Sequence, residues 1–257
     1  MTGTTPDLHR PPRRLAFLKA EWRYLLMLNY EVPTETLAPL VPRGAELDLR
    51  DGRALCSIVG FRFLRTRLLG VPVPLHRDFD EVNLRFYVKR VMPSGEVRRG
   101  VTFVSELVPR AAIALVARAA YNEPYRAMRM RSTAPAAPTE SPGRVRYEWN
   151  AGARWQHVTA RAVGHATVPA PHEEASFITE HYWGYTAQRD GGTVEYQVQH
   201  PPWRVWSVAD ATLDADVAGL YGAAFVPVLA GPPRSAFIAE GSRVTVYPPR
   251  RVRSGDS

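Results

Sequence analysis

The chain has 257 residues, 45% of them apolar and 23% charged, with a net charge of +8. This is an ordinary globular composition, long enough to bury a large core, and it excludes wholesale disorder. Almost all the positive charge is arginine, since Lys19 and Lys89 are the only lysines. The arginines are spread along the chain and cluster only at Arg10–Arg14 and Arg250–Arg253, a pattern that does not make a nucleic-acid footprint. The single cysteine, Cys56, permits no intrachain disulfide and lies in the apolar run Ala-Leu-Cys-Ser-Ile-Val, which predicts a buried thiol. The N-terminal stretch has no uninterrupted apolar run, and the longest charge-free stretch, Val217 to Pro233, is broken by glycines and Pro227. A soluble cytoplasmic protein without membrane contact is expected.

Residues 1–13 read as a flexible lead, 14–249 as one domain and 250–257 as a basic tail. The aromatic, apolar segment Arg14–Tyr30 ends in a buried strand that stops at Val32-Pro33. Pro33-Thr34-Glu35 opens a short helix to Val41, which Pro42 and Gly44 close. Hairpin signals then recur. Asp51-Gly52, Ser94-Gly95, Asn150-Ala151-Gly152 and Asp190-Gly191-Gly192 each separate two strand-like runs, with glycine supplying the positive φ of a tight turn. In the run after Phe79, Leu84, Phe86 and Val88 alternate with Arg85, Tyr87 and Lys89, predicting one buried face.

Helical signals are few. They fall at Pro109–Arg118, from Pro171 to about His181, and within Asp210–Leu229, where Gly219, Gly222 and Pro227 blur the pattern. Pro135–Pro142 reads as a surface loop and Ser235–Tyr247 as the last strand. No internal repeat is present. The expected class is α+β and β-rich: antiparallel hairpins forming a barrel-like wrapped sheet with a few short helices.

The stretch Arg118–Met130 crowds Tyr121, Tyr125 and several arginines around Pro124, which suits a pocket wall and not a surface helix. Strand alternation allows one of Tyr125 and Arg126 to point inward, and Tyr125 is the expected one. The histidines lack metal-ligand spacing; His157 and His165 lie too far apart on one strand to share an ion. Gly191-Gly192 is a hairpin turn, no phosphate-binding loop occurs, and Ser57, Ser105 and Ser235 lack a nucleophile-elbow context. No cofactor and no metal are expected.

The motifs Trp22…Asn29-Tyr30, Leu40-Val41-Pro42, His76…Phe79-Asp80-Glu81-Val82-Asn83-Leu84-Arg85-Phe86-Tyr87-Val88, Ala117-Arg118…Tyr121…Pro124-Tyr125 and His200-Pro201-Pro202-Trp203 together resemble the YqjF-like family, DUF2071. The resemblance spans about Phe17 to Pro248. It implies kinship with the acetoacetate decarboxylase-like superfamily, whose β-rich sheet encloses a small-molecule pocket.

Acetoacetate decarboxylases use a pocket Arg, a pocket Glu and two adjacent lysines, one of which forms a Schiff base. Carried over on the Leu40-Val41-Pro42 turn, the Arg falls on Arg23 and the Glu on Glu81, while the lysine pair falls on Tyr125 and Arg126. Neither Tyr nor Arg forms an imine, so decarboxylation through an imine at that position is not expected. Lys89 is the nearby alternative; it faces solvent if the apolar set is core, and the interior if the basic set lines a barrel.

The resemblance therefore implies Glu81 and Tyr125 as catalytic candidates and Arg23, Arg118, Tyr121, Arg126 and His200 as substrate-binding ones. For Glu81 the other reading is a carboxylate paired to Arg85 or Arg118 that ties strands together; for Arg23 and Arg118 it is an internal salt bridge with Glu81 or Glu21. The implied partner is a small organic acid or carbonyl compound. The implied chemistry is lyase- or isomerase-type acid/base work without a Schiff base: decarboxylation, dehydration, isomerisation or cyclisation. Non-catalytic binding or sensing of a small ligand is the alternative, and homo-oligomerisation stays open.

Overall fold

The computed structural model describes residues 15–72, 77–109, 122, 124–152 and 154–252. The expected helix at Pro109–Arg118 falls almost wholly outside these residues, as do Arg118, Tyr121, His76 and most of both termini.

The strands in chain order are β1 (Leu18–Glu31), β2 (Glu46–Leu47), β3 (Leu55–Leu68), β4 (Val71–Pro72), β5 (Phe79–Val91), β6 (Val97–Val108), β7 (Tyr125–Ala127), β8 (Arg129–Ser132), β9 (Arg144–Asn150), β10 (Trp155–Thr167), β11 (Trp183–Ala187), β12 (Thr193–Gln199), β13 (Val205–Asp214), β14 (Ser235–Val246) and β15 (Arg250–Arg251). They join in one sheet, ordered β15-β12-β11-β6-β5-β3-β1-β14-β13-β10-β9-β8. An additional pairing of β12 with β14, at Val198↔Val246 and Gln199↔Thr245, folds the sheet back on itself. The result is a wrapped, strand-rich sheet with a few short helices.

Three of the four hairpin signals join β5–β6, β9–β10 and β11–β12. The Asp51-Gly52 turn closes only the Arg50↔Arg53 bridge. Glu46 and Leu47, expected to pair across that turn, instead pair with Lys89 and Val88 of β5. The first predicted helix is a short α-turn, Thr34–Leu37, continued by a 3₁₀ turn through Leu40. The second is Glu174–Thr179. In the third region β13 runs on to Asp214, and only Val217–Tyr221 and Val226–Leu229 are α-helical, split at Gly222 (φ +97°). The Pro135–Pro142 loop is held against the sheet, because Tyr24 donates to the Ala137 carbonyl and Trp206 to that of Glu140.

The central strands carry apolar side chains on both faces, and this produces two cores. Leu26, Leu28, Ile58, Leu84, Phe86, Tyr147, Trp149 and Trp206 pack on one side. Leu25, Met27, Phe61, Phe63, Phe79, Tyr87 and Phe237 pack on the other. The one-face expectation for β5 is therefore corrected. Its even-numbered positions from Val82 to Val88 enter the first core, and its odd-numbered positions from Phe79 to Tyr87 face the second, where the sheet wraps around a cavity. A solvated face would leave this central strand unburied on one side; the wrap covers it.

Two bulges reset which residues face the cavity. Between Arg23 and Leu26, β1 carries one residue more than β3 does, and Tyr24 takes φ +52°. A single inserted residue reverses the facing of everything beyond it. Trp22 and Leu25 thus both face the cavity side, while Arg23 does not. In β6, Val104 is the extra residue between Phe103, which pairs with Arg85, and Ser105, which pairs with Leu84. Phe103 and Glu106, three positions apart, consequently both line the cavity.

Candidate functional site

The wrapped side of the sheet encloses a cavity of about 300 Å³. Its wall is mostly aromatic. Trp22 meets Phe61 and Phe63 edge-on, with ring centroids 5.4 and 5.7 Å apart, and Phe63 stacks on Phe79 at 4.5 Å. Such a wall supplies apolar contact and a low-dielectric interior in which each polar group carries more weight. The polar groups fall into two sets along β5.

The first set surrounds Glu81, which is 3% exposed. Asn83 Nδ2 donates to Glu81 Oε1 at 3.0 Å, and Tyr125 Oη donates to Oε2 at 3.4 Å. Glu106, 1% exposed, joins them, because β-pairing sets it opposite Asn83 and beside Tyr125. Two buried carboxylates, an amide and a phenol thus share one wall, a composition suited to moving a proton.

The second set gathers around Arg85. Its Nη2 lies 3.9 Å from the Met27 sulfur and its guanidinium 5.7 Å from the centre of the Tyr87 ring. Among the described residues no carboxylate forms an ion pair with it, and its Nε is buried without a hydrogen-bond partner. Facing it is His181, which follows the helix Glu174–Thr179 and packs against Tyr87 and Phe177 at 4.7 and 5.0 Å. His181 Nε2 lies 3.0 Å from Asp48 Oδ2, and Arg99 Nε donates to the same oxygen at 2.7 Å.

Burial pushes the His181 imidazole down to about 4, against the pull of Asp48. The ring is therefore neutral near pH 7. With Nε2–H given to Asp48, the lone pair on Nδ1 is buried and unpartnered. Burial also raises Asp48, but the hydrogen bonds from His181 and Arg99 outweigh it and hold this carboxyl below its usual range.

Tyr125 faces the cavity, whereas Arg126 turns away and donates to the carbonyls of Gly219 and Leu220 at 2.9 and 3.3 Å. Arg23 lies off the cavity lining. It is bound to Glu21 Oε2 at 3.2 and 3.4 Å and to the Gly241 carbonyl at 3.1 Å, the internal salt bridge with Glu21 that was its other reading. The cause is the β1 bulge, since uninterrupted alternation from Leu25 would have pointed Arg23 inward. Glu81 is held by Asn83 and Tyr125, and Arg118, one of the partners expected for it, lies outside the described residues.

His200 lines the cavity, stacked on Trp203 at 3.9 Å, with Nδ1 2.9 Å from the Pro201 carbonyl; burial lowers its pKa to about 4. Lys89 lies at the far end of β5, 3.5 Å from Glu46, and Lys19 is exposed; neither touches the cavity. Cys56 is buried in the first core, its thiol pushed up to about 12 by burial. Among the described residues no three His, Cys, Asp or Glu side chains converge as a metal site.

Sequence reasoning did not single out Asn83, Glu106 or the Asp48–His181 pair. Alternation from Glu81 was signal enough for Asn83 and Arg85. Nothing local links Asp48 to His181, 133 residues apart.

The wrapped sheet and its enclosed cavity define an acetoacetate decarboxylase-like fold. The chain aligns with an acetoacetate decarboxylase from Legionella pneumophila at a TM-score of 0.63 and 13% identity, covering 97% of this chain and 93% of that one. It aligns with an acetoacetate decarboxylase-like enzyme from Sphingomonas wittichii RW1 at 0.61 and 14%, covering 97% and 98%. The enduracididine biosynthesis enzyme MppR, complexed with pyruvate, gives 0.64 and 13%, with 98% and 95% covered. Within this fold the chain belongs to the DUF2071 family of uncharacterised conserved proteins, whose model matches residues 19–243. It is 27% identical to the uncharacterised protein YqjF of Bacillus subtilis (strain 168) over 196 residues, 75% of this chain and 76% of that protein.

Proposed function

We propose that this protein is an enzyme acting on a small organic acid or carbonyl compound by acid/base chemistry without an imine. The carrying observation is Glu81, buried in an aromatic cavity and hydrogen-bonded by Asn83 and Tyr125. In this reading Glu81 accepts a proton from carbon or oxygen of the substrate. Asn83 orients its carboxylate. Tyr125 donates to the oxygen on which negative charge develops. The reaction classes are those in which a proton moves next to a carbonyl: decarboxylation, dehydration, isomerisation or cyclisation. A Schiff-base route has no amine to use, because neither lysine of the chain touches the cavity. The structural neighbours, an acetoacetate decarboxylase and an enzyme complexed with pyruvate among them, favour ligands of this size and kind.

The test is turnover of panels of ketoacids and enones by the native protein, Glu81→Gln and Tyr125→Phe. Glu81→Gln is expected to lower the rate by about 10²–10⁴-fold. Unchanged turnover would remove Glu81 from the mechanism. A second reading, binding without turnover, draws on the fact that both Glu81 oxygens already have partners within the protein. Compounds of the panel that raise the melting temperature without being converted would favour it.

A further inference from the structure

Arg85 and His181 line the same cavity as the Glu81 group. Glu81 and Arg85 lie four residues apart on one face of β5, about 13 Å at the usual rise of a strand. Both residues line the cavity, and each carries a nitrogen buried without a hydrogen-bond partner among the described residues: Arg85 Nε and His181 Nδ1. The His181 side chain is only 1% exposed. A guanidinium without a carboxylate among the described residues, lining the same cavity as an imidazole whose second nitrogen has no partner among them, is costly to bury and gains most from an anion. Most of the remaining wall is aromatic, with Trp22, Phe61 and Phe103 among its residues.

We propose that Arg85 and His181 form an anion subsite that takes the carboxylate of an acid with an apolar, elongated body, and that His181 takes up a proton from solvent at Nδ1 as the acid binds. The imidazolium is then held between two carboxylates, Asp48 on Nε2 and the ligand on Nδ1. The groups facing this ring set the balance. Asp48 and the incoming carboxylate favour its charge, Arg99 on β6 and Arg85 on β5 oppose it, and Tyr87 and Phe177 bound it as neutral rings. Without an anion, burial and the two arginines keep the ring neutral; the ligand's charge reverses that sum. The proposal rests on the small-molecule reading above and narrows it. Arg85 and His181 hold the acid group, and the body of the molecule carries its reacting carbon toward Glu81.

The experiment is titration calorimetry with the full chain. The probes are ω-phenylalkanoates from phenylacetate to 5-phenylvalerate and, in parallel, their primary amides. The acids are expected to bind about tenfold or more tightly than the amides. At pH 6 their apparent enthalpy should vary with the buffer's ionisation enthalpy in the direction of proton uptake. Arg85→Met should abolish the preference for acids, and Arg85→Lys should restore part of it. His181→Gln, which keeps an N–H for Asp48, should abolish the uptake. Amide affinity and far-UV circular dichroism check that each variant retains its fold and cavity.

Equal affinity for acids and amides overturns the subsite and leaves the Glu81 reading standing. A preference for acids without proton uptake overturns the role of His181. Failure of both series to bind overturns the subsite, and the Glu81 turnover assay, which uses neither series, then judges the function separately.

Discussion

His181 gains its properties from three residues remote in sequence, and its titration has a consequence that needs no ligand. Its pKa falls from the ordinary 6.5 to about 4 on folding. Between these values the unfolded chain binds the extra proton, so stability is full above about pH 6.5 and declines as the pH falls toward 4. The shift is worth about 3 kcal/mol. Urea unfolding of His181→Gln is expected to show a shallower loss between pH 6.5 and 4.5 than the native protein; parallel pH profiles would refute this. The depressed Asp48 carboxyl, held down in part by His181 itself, contributes in the same direction at lower pH, so the comparison is read above pH 4.5. None of this was legible in the sequence, where His181 was one histidine among seven and Asp48 an ordinary loop acid. Glu81 stood out only through a family resemblance, while the crowding around Pro124 also marked Tyr125; their hydrogen bond is a property of three-dimensional pairing.

At the scale of strands, local chemistry was readable and register was not. The Ser94-Gly95, Asn150–Gly152 and Asp190–Gly192 turns announce themselves because each needs a residue that tolerates positive φ, and three of these glycines have it: Gly95, Gly152 and Gly191. The bulges at Tyr24 and Val104 have no such signature. Each nevertheless decides an assignment, turning Arg23 out of the cavity and Glu106 into it. The β1 bulge is locked by Gly241 on β14, opposite Arg23, at φ +77°; a Cβ there would sit 2.0 Å from the Trp22 carbonyl oxygen. Gly241→Ala is expected to cost about 3 kcal/mol or more in urea denaturation, and to disturb the Trp22 wall. A cost below about 1 kcal/mol would mean that the two strands slide apart easily at this point.

For the molecule as a whole, the wrap is fastened by Glu195 on β12. Its carboxylate meets Arg90 at 3.1 Å, Arg98 at 3.2 Å and Arg250 at 2.6 Å, joining β5, β6 and β15. Arg90 is 1% exposed, so removing Glu195 strips a partner from a buried charge. Glu195→Ala should cost about 3–5 kcal/mol. Arg250→Ala, at a side chain 42% exposed, should cost under about 1 kcal/mol. Equal losses would show that the cluster is not organised around the buried pair. The composition and hairpin series made the strand-rich class legible. They did not contain the β12–β14 pairing that bends the sheet around its contents, because that contact joins segments with no shared local pattern.

The pairing of β1 with β14 sets Leu18 against Val246, and both residues line the cavity. A polypeptide emerging from the ribosome has therefore made Trp22, Glu81, Arg85 and Tyr125 long before it has made the wall that closes around them. Until β14 slots between β1 and β13, those aromatic and charged side chains lack their cover. Closure of the cavity therefore waits on β14, the last long strand of the described residues. Before that closure two apolar sheet faces lack cover, the condition under which folding intermediates aggregate.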